Sequence, residues 1–183
     1  MILASASPQR RAILAQVGID FEVRVAGVEE DTEGAPAAVA EVNARRKAQA
    51  IADTTPELVL GADTLVSVDG AILGKPRDAA QAREFLERLA GREHEVVGAI
   101  ALASGGRIEQ AAVEVTTVCF RTLDPPTLDW YVSSREWEGR AGGYAIQGRG
   151  AALIAGIRGD YSNVVGLPLA RLLALRPELL PLA

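Results

Sequence analysis

Two apolar, alternating runs, residues 96–103 and 108–121, face each other across Gly105-Gly106. Runs of this length joined by paired glycines predict a tight two-residue turn and a long antiparallel hairpin. This pair constrains the fold more than any other feature, because it rules out a purely parallel, doubly wound sheet. A second hairpin is predicted where the run 58–68 meets Asp69-Gly70 and continues through Ala71, Ile72 and Leu73. Between the hairpins the periodicity becomes helical. Ser7-Pro8 opens a helix through Ile13, Leu14 and Val17 that Gly18 closes, and Pro36 opens a longer one to about Ala52. Asp78 caps a third helix through Phe85, Leu86 and Leu89, stopped by Gly91. Shorter strands are expected at 2–4, 21–26 and 152–157, and further helices at 127–132 and after Pro168. The expected fold is therefore α/β, a mixed and partly antiparallel sheet with flanking helices. The 183 residues contain no repeat or linker, which predicts one domain, 1–183, with room for two lobes around a cleft.

Composition then narrows the chemistry. A hydrophobic share of 49% argues for an ordinary packed core, while the net charge of -5 and the lack of a basic, aromatic-interleaved stripe argue against a nucleic acid polymer as partner. No apolar run approaches the roughly 18 residues of a membrane span, so no membrane partner is expected. Met1 leads into Ile2-Leu3-Ala4-Ser5 without a basic region, and the single cysteine allows no internal disulfide. A cytoplasmic protein is the expectation, with Cys119 as a small core residue. His94 is the only histidine, which excludes any multi-histidine metal site. Its setting, where a loop enters a strand, predicts a solvated strand-end residue rather than a catalytic one. What remains is carboxylate chemistry, with or without a hard metal ion, beside cationic and amide groups that hold a substrate.

Four segments offer such groups. Ser5-Ala6-Ser7-Pro8-Gln9-Arg10-Arg11 places an N-cap and a helix start after the first strand, either an anion site strengthened by arginine or an ordinary capped helix. The acidic loop Glu29-Glu30-Asp31 is the second. In the third, Gly61-Ala62-Asp63-Thr64, the aspartate interrupts an apolar run, and a buried carboxylate needs a partner. Asp63 accordingly faces a divalent cation or stabilises a bend in the strand. The fourth group is Gly74-Lys75-Pro76-Arg77 with the glycine-rich stretch around Tyr144-Ala145-Ile146-Gln147-Gly148. Of the nineteen lysines and arginines only Lys47 and Lys75 are lysines. Val39, Asn43, Lys47 and Ile51 share an i, i+4 row, so either its two polar residues look into a cleft or Lys47 snorkels at the border of the core.

Taken in order, Ser5-x-Ser7-Pro8-x-Arg10, Gly61-Ala62-Asp63-Thr64, Gly74-Lys75-Pro76-Arg77-Asp78, Ala141-Gly142-Gly143-Tyr144-x-Ile146-Gln147-Gly148 and Val165-Gly166-Leu167-Pro168 resemble the Maf family of nucleoside triphosphate pyrophosphatases. The resemblance implies hydrolysis of a nucleoside triphosphate to the monophosphate and pyrophosphate, in a two-lobed fold of the kind also found in inosine triphosphatases. It implies a divalent metal, Mg²⁺ or Mn²⁺, and a homodimer. By the same resemblance Asp63 is the catalytic carboxylate, and Glu30 and Asp63 are the metal ligands. Lys47 and Lys75 face phosphates, and Ser5, Arg10, Thr64 and Gln147 contact substrate. Thr64 and the Tyr144 to Gly148 stretch are similar to the branch acting on dTTP and UTP. The family's association with arrest of septum formation implies an alternative, a nucleotide-sensing regulatory module that acts through a partner.

One position departs from the pattern. The family has two arginines after Ser-Pro, and here the first is Gln9. Arg11 does not simply replace it, because it lies two steps farther along the helix and each step turns a side chain by about 100°. Weakened triphosphate binding, eased by Arg11, is the expected result.

Overall fold

The computed structural model describes residues 1–181. Seven strands form one mixed sheet. Its antiparallel centre consists of β3 (Val59–Val68), β5 (Glu93–Ser104) and β6 (Arg107–Phe120). On one side β1 (Ile2–Leu3) and β2 (Glu22–Val23) extend the sheet in parallel, and β7 (Ile154–Arg158) closes the other side. The short β4 (Ala71–Leu73) pairs with the end of β3. Both expected hairpins are present, and the Gly105-Gly106 turn has φ of 51° and 76°, the left-handed pair that matches the twist of the flanking strands.

Among the described residues six α-helices flank the sheet: α1 (Pro8–Gln16), α2 (Pro36–Ala52), α3 (Ala79–Leu89), α4 (Pro125–Ser133), α5 (Tyr161–Val165) and α6 (Leu169–Leu175). Ser7 caps α1 by accepting the Arg10 N–H at 3.4 Å, and Asp78 caps α3 by accepting that of Gln81 at 2.8 Å. Among the described residues no helix is long and apolar enough to cross a membrane.

Alternation along β3 sends its residues to different cores. Val59 packs with Ala40, Ala44 and Ala48 of α2 on one face. Leu60 and Ala62 on the opposite face join Leu14 of α1 and Leu172 of α6. Farther along that second face, Val66 and Val68 pack with Phe85 and Leu86 of α3 and with Leu128 and Tyr131 of α4. The alanines of α2 recur every fourth residue, leaving a smooth stripe that lies close to the sheet. Gly61 completes this approach, since a Cβ there would collide with Ala44 O and with Ala48.

The sheet is incomplete between two lobes, a first that packs α1, α2 and α6 with β1 and a second that packs α3 and α4 with β4 and the glycine-rich stretch. β5 covers one edge of β3 from Val59 to Ser67. On the other edge β1 reaches only to Leu60, and β4 starts at Val66. The residues between, which include Asp63 and Thr64, have no strand on this second edge among the described residues. That gap is the floor of a cleft between the lobes.

Several expectations change. The run 21–26 pairs only over Glu22–Val23, because its neighbour β1 is itself two residues long. β5 begins at Glu93, since residues 93–95 pair with Cys119, Val118 and Thr117 despite their polarity. His94 is consequently buried in the second lobe, where its ring lies edge-on to Phe120 and Tyr144, instead of being solvated at a strand end. Cys119 is half-buried rather than in the core, and its thiol donates to Glu93 at 3.3 Å. The short α5 and two tight helical turns, Ala141–Gly143 and Arg149–Leu153, carry no periodicity long enough to read from sequence.

Candidate active site

The cleft encloses about 680 Å³. Ser5, Arg10, Glu30, Lys47, Asp63, Thr64, Lys75 and Gln147, separated by up to 142 positions in sequence, all line it. Four structural decisions bring them there. β1 ends beside β3 and delivers Ser5 and the start of α1; the acidic loop crosses in front of α2; β4 carries Lys75 out of its hairpin; and the glycine-rich stretch folds Gln147 over the second lobe.

Asp63 is 5% exposed, and its partner is provided by the chain itself. Lys47 Nζ donates to Asp63 Oδ1 at 2.7 Å, and Asn43 Nδ2 donates to Asp63 Oδ2 at 3.0 Å. Both partners come from the i, i+4 row on α2, so the lysine looks into the cleft while its stem stays buried. The same ammonium meets Glu30 Oε1 at 2.6 Å, which draws the acidic loop in towards Asp63. A buried carboxylate deprived of such a cation loses about 3–5 kcal/mol, so the pairing is a condition for Asp63 to sit where it does.

Arg10 is the second buried cation. Its Nη1 donates to Ser5 Oγ at 2.8 Å, its Nε to the Gly166 carbonyl at 2.9 Å, and its Nη2 to Thr64 Oγ1 at 3.2 Å. Thr64 Oγ1 also donates to Gly166 O at 3.1 Å, which fixes the threonine beside the guanidinium. All three partners of Arg10 are neutral. Burial therefore pulls its pKa below the ordinary value, and the charges of Asp63 and Glu30 oppose that shift without contacting it. A desolvated guanidinium with neutral partners is a strong acceptor site for an anion.

The outer cleft is more open. Lys75 and Gln147 are exposed on its second-lobe side, and Gln9 is half-buried with Oε1 accepting from Ser7 Oγ at 3.2 Å. Arg11 is exposed and lies outside the cleft lining, so, contrary to expectation, it does not ease the change at Gln9; two steps along α1 turn its side chain away. Glu136 holds the glycine-rich stretch in shape by accepting the N–H groups of Arg149 and Gly150, each at 3.0 Å.

Sequence reasoning did not assign three contributors. The Gly166 carbonyl is a backbone atom and has no side-chain signal. Arg140, whose Nε is buried without a hydrogen-bond partner among the described residues, lines the cleft immediately before Ala141-Gly142-Gly143-Tyr144. Asn43 stood on the right helical row, but only the packing of α2 on β3 shows what it reaches. His94 is excluded from the cleft: its Nε2 pairs with Tyr144 Oη at 2.8 Å, and burial pushes its pKa down to about 4. The cleft thus joins a buried carboxylate, a second carboxylate and several cations, an arrangement suited to polyanionic phosphate and to the activation of water.

Among the described residues no group of three or more His, Cys, Asp or Glu side chains converges as an all-protein metal cage. Two carboxylates, Glu30 and Asp63, instead converge on one ammonium, that of Lys47.

Comparison with known proteins places these features in a wider set. The profile of the Maf-like protein family matches residues 1–178. A dTTP/UTP pyrophosphatase of Symbiobacterium thermophilum is 51% identical over 174 residues, covering 93% of this chain and 89% of that protein. One from Myxococcus xanthus is 48% identical over 178 residues, covering 96% and 90%, and one from Pyrococcus furiosus is 45% identical over 172 residues, covering 92% and 90%. A solved HAM1 protein from Coxiella burnetii superposes with a TM-score of 0.54 at 18% identity, covering 97% of this chain and 98% of that one, a likeness of fold.

Proposed function

The chain belongs to the Maf-like protein family, and on that premise we propose that it hydrolyses nucleoside triphosphates, dTTP and UTP foremost, to the monophosphate and pyrophosphate. The observation that carries this reading is the Asp63 carboxylate, held at the gap in the sheet by Lys47 and Asn43 and flanked by the desolvated Arg10. The relatives of 45–51% identity that carry the dTTP/UTP pyrophosphatase name support the choice of bases. No observation favours the regulatory alternative.

In this reaction water attacks the α-phosphorus, the bond from that phosphorus to the bridging oxygen breaks, and pyrophosphate leaves with the electron pair. Asp63, whose Oδ1 is held by Lys47 and whose Oδ2 is held by Asn43, accepts the proton of the attacking water. Lys47, Lys75 and Arg10 oppose the charge that grows on the departing pyrophosphate, and Arg10 does so from a site where water no longer screens it. Ser5 and Thr64 keep the guanidinium in place, and Gln147 offers an amide to the base or to a phosphate oxygen. Glu30 and Asp63 are the residues that would hold a divalent cation, Mg²⁺ or Mn²⁺, jointly with the triphosphate. When bound, such a cation supplies charge neutralisation at the phosphates.

The test is product analysis with purified protein, a divalent cation and a panel of dTTP, UTP, CTP, GTP and ITP, beside Asp63→Asn. Monophosphate and pyrophosphate from dTTP and UTP, lost in the variant, support the proposal. Absence of turnover with every triphosphate overturns it.

A further inference from the structure

We infer that Asn43 is a positioning residue that couples the acidic loop to Asp63, so that Glu30 and Asp63 meet the triphosphate as one unit; this rests on the pyrophosphatase reading. Asn43 is 1% exposed, and its amide makes three hydrogen bonds. Oδ1 accepts from the Asp31 N–H at 2.8 Å, Nδ2 donates to the Asp31 carbonyl at 2.9 Å, and Nδ2 also donates to Asp63 Oδ2 at 3.0 Å. The first two bonds clamp one backbone unit from both sides, as a neighbouring strand would.

The clamp matters because of what surrounds it. From the end of β2 to the start of α2 the chain has no regular structure, so the acidic loop has no ladder of its own. Its other ties are the Arg46 to Asp31 pair, which is exposed and therefore weak, and the Glu30 to Lys47 pair. Lys47 and Asn43 thus form two parallel links between the loop and Asp63, one charged and one neutral. The neutral link fills Oδ2 while adding no second cation beside the carboxylate. Only a side-chain amide can accept from the Asp31 N–H and donate to both oxygens at once. A leucine fills the same space and leaves all three groups unpaired. An aspartate keeps the acceptor for the Asp31 N–H and loses both donations.

The two variants separate the links. Backbone amide exchange over residues 29–33 is measured for wild type, Asn43→Leu and Asn43→Asp, together with kcat and KM for dTTP and UTP. With the clamp gone, Asn43→Leu exchanges about 10-fold faster or more in that segment, and loss of a hydrogen bond to a charged group lowers kcat about 10- to 100-fold. KM moves less than about 3-fold, because Arg10 and Lys75 still bind the substrate. Asn43→Asp retains slow exchange and shares the loss of kcat. Wild-type exchange and kcat within about 2-fold of wild type in both variants would overturn the inference. An inactive wild type overturns the pyrophosphatase reading instead, while the exchange comparison still decides whether the clamp exists.

Discussion

Gly61→Ala tests whether the close approach of α2 to β3 assembles the cleft. An added Cβ would lie 2.6 Å from Ala48 N and 2.9 Å from Ala48 Cβ, and closer still to the Ala44 carbonyl oxygen. None of these atoms ends a flexible side chain, so the helix must move as a body. Two effects favour the substitution: about 0.8 kcal/mol for burying a methyl group and about 0.4–1 kcal/mol from a stiffer unfolded chain. Overpacking costs about 1–3 kcal/mol where neighbours adjust and more where they are backbone, so the steric term wins. A net loss of about 2 kcal/mol corresponds to a fall in Tm of about 4–8 °C for a chain of this size. Because Asn43 and Lys47 ride on α2, their bonds to Asp63 lengthen together, and kcat falls about 10-fold or more even in the folded fraction. Thermal unfolding and steady-state kinetics read both effects. Gly156→Ala serves as control, since nothing lies within 4 Å of a Cβ there. A Gly61→Ala protein with the Tm and kcat of wild type would refute the claim that this contact sets the site.

Two further predictions follow from single residues. Gln9→Arg restores a charged donor at a cleft-lining position and lowers KM for dTTP about 5-fold, since a charge-assisted hydrogen bond exceeds a neutral one by about 1 kcal/mol; an unchanged KM would show that Gln9 does not limit triphosphate binding. His94 takes up a proton near pH 6.5 in the unfolded chain and only near pH 4 in the folded one. Between those values the unfolded state binds more protons, so this contribution is complete above pH 6.5 and is lost as the pH falls to 4, by about 3 kcal/mol at most. Denaturant titrations from pH 7 to 4 are expected to show a shallower fall in His94→Phe than in wild type, and parallel slopes would contradict the burial argument.

The parts of this structure that were legible beforehand are those with local causes. Asp69-Gly70 and Gly105-Gly106 form their turns because their conformations are local, and Ser7 and Asp78 cap helices for the same reason. The row of Val39, Asn43, Lys47 and Ile51 is legible as a helix face with two polar residues towards a cleft, but the group they reach there, Asp63, is not. Asp63 was seen to need a partner, and the answer, Lys47 with Asn43, depends on a packing contact between elements that Gly61 permits. His94 was misplaced because polar residues at 93–95 read as a loop, whereas pairing with β6 extends the strand through them. The Gly166 carbonyl, which fixes Arg10 and Thr64, lies 156 positions from Arg10 and had no side chain to signal it. The family resemblance gathers the eight cleft residues without any geometry, and the geometry adds the reason they meet: a stretch in the middle of β3 that is uncovered along one edge.

The central claim is that water attacks the α-phosphorus in this cleft. Hydrolysis of dTTP or UTP in water enriched in heavy oxygen, followed by mass analysis of both products, tests it most directly. The account predicts one heavy oxygen in the monophosphate and none in the pyrophosphate. Label in the pyrophosphate, or release of orthophosphate, would place the attack elsewhere and contradict it.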